Sequence, residues 1–138
     1  MKIVSACLAG FNCRFDRTNR LNEYVKKLIE RGEAIPVCPE QLGGLPVPRL
    51  PAEQIEGKVY DKEGKDVTEN FIIGACEVLR IAQNYGCKEA ILKSNSPSCG
   101  SGQIYDGTFT RTLIKGDGIT TALLKKNGIK VYTEENFK

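Results

Sequence analysis

The sequence predicts an α/β fold: one three-layer domain over residues 1–138, with a mainly parallel sheet, helices on both faces, and the site at the carboxyl ends of the strands. Three observations carry this expectation. Short β-branched, apolar runs alternate with segments of helical period, glycines punctuate the ends of those segments, and neither repeats nor linkers interrupt the alternation. Open parallel sheets form their sites in the crevice outside the carboxyl ends of the strands, so chemistry is expected in the loops that leave those ends.

The first strand is expected within Lys2–Leu8, which is β-branched and apolar. Asn22 then opens a helix with Tyr24, Val25, Leu28 and Ile29 on one face, stopped at Gly32. Ala34–Cys38 reads as a second buried strand, ended by Pro39. Residues 39–55, PEQLGGLPVPRLPAEQI, hold four of the six prolines and two adjacent glycines, a density that predicts a long ordered loop. Val59-Tyr60 and Lys65-Asp66-Val67 suggest a small hairpin. Thr68 is placed to cap a helix through Ile72, Ile73, Cys76 and Leu79 to about Tyr85, with Gly86 as its stop. A third strand is expected at Ala90–Lys93, then the loop SNSPSCGSGQIYDGTFT. A last helix runs from Gly118 to Lys126, ends at Asn127-Gly128, and leads into a fourth strand at Ile129–Tyr132.

Composition narrows the chemistry. With 41% apolar residues the chain can bury a core without crosslinks, and its +3 charge, from 20 basic and 17 acidic residues, is spread too evenly to argue for or against nucleic acid. Histidine is absent, which removes Ser-His-Asp triads, Cys-His pairs, imidazole bases and imidazole-ligated zinc. Acid and base work falls to carboxylates, hydroxyls, lysines or thiols. The apolar run after Met1-Lys2 is too short for a signal peptide. The lipoprotein-like box Val4-Ser5-Ala6-Cys7 lacks its preceding apolar segment, and no stretch reaches membrane-span length. The expectation is a cytoplasmic protein, not associated with a membrane, whose six cysteines are reduced.

Three of those cysteines follow predicted strands: Cys7, Cys38 and Cys99. Cys76, on the apolar side of the second long helix, and Cys87, after the glycine stop, read as packing residues. Cys99 sits in a small, polar, glycine-rich loop where the backbone can approach a ligand. The stretch CLAGFNCR invites comparison with the anion loop of low-molecular-weight tyrosine phosphatases and arsenate reductases. Cys7 and Arg14 are one residue too far apart for that loop, and the Asp-Pro general acid is missing. Closely spaced zinc knuckles and ferredoxin spacing are absent too. Spacing allows three thiols to meet and does not name what they hold.

The combination SACLAGFNCRFD, VCPEQLGGLPVPRLPAE, LKSNSPSCGSGQIYDGTFT and GDGITTALLKKNGI resembles the thiouracil desulfidase family, long catalogued as a domain of unknown function, over nearly the whole chain. It departs from the family pattern at Ala9, Arg17 and Leu50, where leucine, glycine and proline are usual. The resemblance implies an α/β domain with a 4Fe-4S cluster held by three cysteines, which fall on Cys7, Cys38 and Cys99, so that one iron is left for substrate sulfur. Cys13 falls where the family also accepts apolar residues and is expected to line the site; the competing reading makes it a fourth ligand.

The activity so implied is hydrolytic removal of sulfur from a thiolated pyrimidine, giving the oxo base and hydrosulfide without net redox change. Glu40, two residues past Cys38, is the expected general base, against the plain reading of an exposed loop carboxylate. Ser96 is expected to relay a proton or orient the ring, against that of a turn serine. Arg14, Asp16, Arg49 and Glu53 are expected to contact the ring or fasten the loops, against the plain reading of loop salt bridges among themselves, and Phe11, Phe15, Leu45 or Tyr105 to line the site. The expected partner is a small thiolated nucleobase, which the modest charge favours over RNA. The alternative is a non-catalytic iron-sulfur or thiol-based sensor or sulfur carrier, which has no need of Glu40.

Overall fold

The computed structural model describes residues 1–137. In chain order its elements are β1 (Lys2–Ser5), a 3-10 turn (Ala6–Ala9), α1 (Glu23–Glu30), β2 (Ala34–Val37), α2 (Pro39–Leu42), β3 (Ala52–Ile55), β4 (Lys58–Asp61), α3 (Thr68–Asn84), β5 (Glu89–Leu92), β6 (Gln103–Tyr105), β7 (Leu113–Lys115), α4 (Ile119–Lys126) and β8 (Lys130–Thr133). Four of the strands form a wholly parallel sheet in the order β2-β1-β5-β8, with Ile3 opposite Ile35, Val4 opposite Ile91 and Ile91 opposite Tyr132. The α/β expectation is borne out.

Strand alternation assigns the faces. Ile3, Ala90 and Leu92 pack against Val78 and Ala82 of α3 and Leu124 of α4. Val4 and Ile91 turn the other way, onto Val25 and Leu28 of α1. Each of the fully buried valine, leucine and isoleucine side chains contributes about 1.5–3 kcal/mol. Pro36 is tolerated because β2 is an edge strand, where one side of the backbone has no ladder to complete. Asn22 caps α1 as expected, its Oδ1 accepting the Val25 N–H at 3.1 Å. From β1 the chain crosses to β2 on one side, then returns to β5 on the other, so the strand order reverses at β1 and a crevice opens beyond its end.

Several expectations are corrected. The first strand ends at Ser5, and Cys7 lies on the tight turn that follows. Residues 39–55 are not a continuous loop: Pro39 starts α2 from a position where its missing N–H has no partner to lose, and Ala52–Ile55 is a strand. Val59 and Tyr60 pair mainly with that strand, keeping only a bridge from Tyr60 to Asp66. The Thr68 hydroxyl accepts the Val59 N–H instead of capping α3, whose first N–H is taken by Asp66 Oδ1. Within and beyond the loop after β5, β6 and β7 form a second antiparallel pair. Cys76 is exposed, not packed, whereas Cys87 is buried as expected.

Candidate functional site

Cys7, Cys38 and Cys99 leave the ends of three neighbouring strands, β1, β2 and β5, and all three line one cavity of about 610 Å³. Local structure holds each in place. The Cys7 carbonyl accepts the N–H groups of Gly10 and Arg20, at 3.3 and 2.9 Å, which folds the 11–20 segment back over the turn. Cys38 is the residue immediately before α2, and α2 is pressed onto α3 backbone to backbone: a Cβ at Gly74 would overlap the Pro39 carbonyl. The Cys99 carbonyl accepts the Thr121 hydroxyl at 2.7 Å. Gly118 lies so close to Ser98 and Cys99 that it too has no room for a Cβ.

The thiols are not equivalent. Burial pushes Cys99 up to about 12, with the Ser5 hydroxyl, 3.5 Å from its sulfur, opposing. Cys13 is buried in the same cluster as Cys7 and Cys38, with its carbonyl 3.8 Å from the Cys38 sulfur. The neighbouring Cys13 thiol is the main reason Cys38 falls to about 7, against burial and with help from the Gln41 amide. The Cys13 thiol is also the main reason Cys7 is lowered; burial opposes, and the charges of Arg14 and Lys93 assist. Cys13 itself is raised, chiefly by Cys38 and Cys7 beside it. Among the described residues no three cysteine, aspartate or glutamate side chains are grouped as donors to a single metal ion; the three strand-end thiols ring a cavity.

The other expected residues divide. Glu40 faces the cavity, and its Oε1 accepts Arg49 Nε at 3.1 Å. Arg49, whose side chain is only 7% exposed, also donates from Nη1 and Nη2 to the Pro46 and Cys13 carbonyls, at 3.1 and 3.0 Å. Ser96 also lines the cavity. Its Oγ accepts the N–H groups of Ser98 and Cys99 at 3.0 and 2.9 Å, so it is the turn serine that shapes the Cys99 loop. Glu53 is buried, forms no ion pair among the described residues, and accepts Gly107 N–H and Phe109 N–H, at 3.0 and 3.1 Å. It fastens the β6–β7 connection over the site. Arg14 is a lining residue whose buried Nε has no acceptor among the described residues. Asp16 is not in the cavity wall; it is exposed, accepts the Thr18 hydroxyl at 2.5 Å and is lowered chiefly by that bond. Phe15 and Tyr105 line the cavity, while Phe11 is exposed and Leu45 packs against the Val59–Phe71 cluster.

A family model described as 2-thiouracil desulfurase matches residues 3–136. The chain belongs to the 2-thiouracil desulfurase family. It is 43% identical over 144 residues to the uncharacterized protein YbbK of Bacillus subtilis (strain 168), covering 97% of this chain and 95% of that one. The solved structure of a 4Fe-4S-dependent thiouracil desulfidase, TudS (DUF523), matches with a TM-score of 0.94 at 43% identity, over 99% of this chain and 91% of that one. The family is one of enzymes that cleave a carbon–sulfur bond.

Within this desulfurase fold, Arg17 has φ +62°, the left-handed region that glycine occupies without strain, and its guanidinium reaches the Val47 carbonyl at 3.3 Å. Sequence reasoning missed the group formed by Lys93, Ser94 and Glu134 on the cavity wall. Lys93 Nζ lies 2.8 Å from Glu134 Oε2. Burial raises Glu134, but the Lys93 ammonium and the Ser94 amide outweigh it and hold the carboxyl low. The available signal was positional: each charge stands one residue past the end of a strand.

Proposed function

We propose that this protein is a hydrolytic desulfidase of thiolated pyrimidines, with Cys7, Cys38 and Cys99 holding a 4Fe-4S cluster. The observation that carries the reading is the convergence of three thiols, from the ends of three adjacent parallel strands, on one cavity. The residues fit such a group. Their donors are all sulfur, the set preferred by iron-sulfur clusters, and the buried Arg14 Nε on the same wall is a cationic donor without an acceptor, suited to an anionic sulfur-rich guest. When bound, the cluster supplies a sulfur-seeking Lewis acid lacking a protein thiolate, which polarises the thione carbon.

The chain's own residues do the rest. Glu40 Oε1 is held by Arg49, and its Oε2 has no hydrogen-bond partner among the described residues, so one oxygen is positioned while the other takes a proton from water. Water adds to the thione carbon, sulfur departs as hydrosulfide, and the ring keeps the oxygen. Ser96 uses its lone pairs on two amides and retains one O–H, which can hold a ring heteroatom or pass a proton. Phe15 and Tyr105 offer apolar faces to a flat ring.

One observation favours a second reading, a closed cluster in a sensor or sulfur carrier: the Cys13 thiol lies against both Cys7 and Cys38. The experiment that separates the two is anaerobic iron and sulfide reconstitution followed by incubation with 2-thiouracil and 4-thiouracil. Release of hydrosulfide and uracil in equal amounts is expected. Intact holoprotein that desulfurates neither base would overturn the enzymatic reading and leave the sensor.

A further inference from the structure

The parallel register of β5 and β8, with Leu92 opposite Thr133, brings the next residues of both strands, Lys93 and Glu134, together at the carboxyl edge of the sheet. Glu134 is fully engaged: Oε1 accepts Ser94 N–H at 2.9 Å, and Oε2 accepts the Ser94 hydroxyl at 3.0 Å and Lys93 Nζ at 2.8 Å. A carboxylate so engaged is a clamp and a poor proton acceptor. The Lys93 ammonium carries three N–H groups and spends two, on Glu134 and on Ser94 Oγ at 3.0 Å. Its backbone N–H is anchored as well, to Ser5 Oγ at 2.9 Å, the hydroxyl that also reaches the Cys99 sulfur. The result is a cation fixed at several points on the cavity wall, with one donor unspent among the described residues. Arg49, by contrast, is tied through all three of its nitrogens, to Glu40 and two carbonyls, whereas Arg20 is held only through Nη1, by Thr18 and Asn19.

We propose that Lys93 reads the carbonyl oxygen that a thiopyrimidine keeps beside its thione, with Glu134 as the positioning residue that aims the ammonium. This rests on the desulfidase reading above. In thiouracils the remaining carbonyl is joined to the thione carbon through a single ring nitrogen with which both are conjugated. A hydrogen bond from an ammonium to that oxygen draws electron density from the reacting carbon and favours attack by water. The Lys93–Glu134 pair is neutral overall, so it receives a neutral ring without introducing an unpaired buried charge. A ring without the carbonyl leaves the donor unmatched, which makes the pair a specificity element as well.

The test uses anaerobically prepared holoprotein, wild type against Lys93→Met, Lys93→Arg and Glu134→Gln. Two thiones are compared by kcat/KM, 2-thiouracil and pyrimidine-2-thione, which lacks the second carbonyl; uracil binding is measured separately by calorimetry. Wild type is expected to prefer 2-thiouracil by about tenfold or more, the reach of one hydrogen bond to a charged group. Lys93→Met should weaken uracil binding and 2-thiouracil turnover by about that factor while changing pyrimidine-2-thione less than about twofold, so the preference disappears. Lys93→Arg should restore part of it, and Glu134→Gln should show a smaller loss with the same ligand dependence. Equal losses on both thiones, or no loss on either, would overturn the inference, the first marking a purely structural lysine. If wild type desulfurates neither thione, the desulfidase reading fails by itself, and uracil binding still decides: dependence on Lys93 sustains the carbonyl contact, and independence overturns it.

Discussion

Replacing Glu40 by glutamine separates the chemistry from the architecture. The change keeps the shape and leaves an amide oxygen for Arg49 Nε, now 3.1 Å from Oε1, while Arg49 retains the Pro46 and Cys13 carbonyls. Losing one partner of a buried ion pair costs roughly 3–5 kcal/mol when the other charge is stranded. Here Arg49 keeps three acceptors and the Glu40 side chain is 19% exposed, so the expected cost is nearer ~1 kcal/mol, that of exchanging a charged for a neutral hydrogen bond. Catalysis should suffer far more, because an amide cannot accept the proton from water: a loss of about 10²–10⁴ in turnover is expected. The assay is hydrosulfide release from 2-thiouracil by anaerobic enzyme, with iron content and a denaturant melt run on the same preparation. Iron unchanged, stability slightly reduced and turnover down by two orders or more is the expected pattern. Unaltered turnover at full iron loading would remove Glu40 from the mechanism.

Two other predictions bear on the scaffold. Gly74→Ala forces a methyl into the Pro39 carbonyl, and the overpacking cost of about 1–3 kcal/mol should exceed the ~1 kcal/mol gained from helix propensity. Because α2 carries the residue after Cys38, iron per chain should fall along with the melting midpoint; a melt shift without iron loss would show that α2 does not position the thiol. Glu134, held below its ordinary value of 4.5, contributes stability that is present above that pH and is lost as pH falls through its lower folded value. The wild-type advantage in Tm over Glu134→Gln should therefore shrink on acidification below about pH 4.5, and an advantage that grows there would contradict the sign.

The parallel sheet and the three strand-end thiols were legible because each core strand is a short β-branched run and the thiols stand immediately after, or a few residues beyond, those runs. The Ala52–Ile55 strand was not legible. Its central residues, Glu53 and Gln54, are buried polar side chains that fasten other loops, so no apolar alternation marks it, and three nearby prolines argue against a strand. Leu113–Lys115 was hidden for a related reason: all three residues are exposed, and only pairing with Gln103–Tyr105 makes them a strand. Asp16 looked like a site residue by its nearness to Arg14, but its carboxylate is satisfied locally by Thr18. Lys93 and Glu134 lie 41 residues apart, and only the β5–β8 register joins them. Short-range pattern identifies elements and caps, whereas partners across strands require the sheet order.

Iron content across the cysteine series tests the central claim most directly. Cys7→Ser, Cys38→Ser, Cys99→Ser and Cys13→Ala would be reconstituted anaerobically, and iron per chain compared with wild type, for which about four are expected from a 4Fe-4S cluster. The account predicts that each of the three serine variants loses the cluster and the desulfuration with it, while Cys13→Ala keeps the iron and much of the turnover, losing only a thiol that packs beside Cys7 and Cys38. If Cys13→Ala loses the iron as completely as the others, four thiolates close the cluster, substrate sulfur has no iron to bind, and the desulfidase account is contradicted.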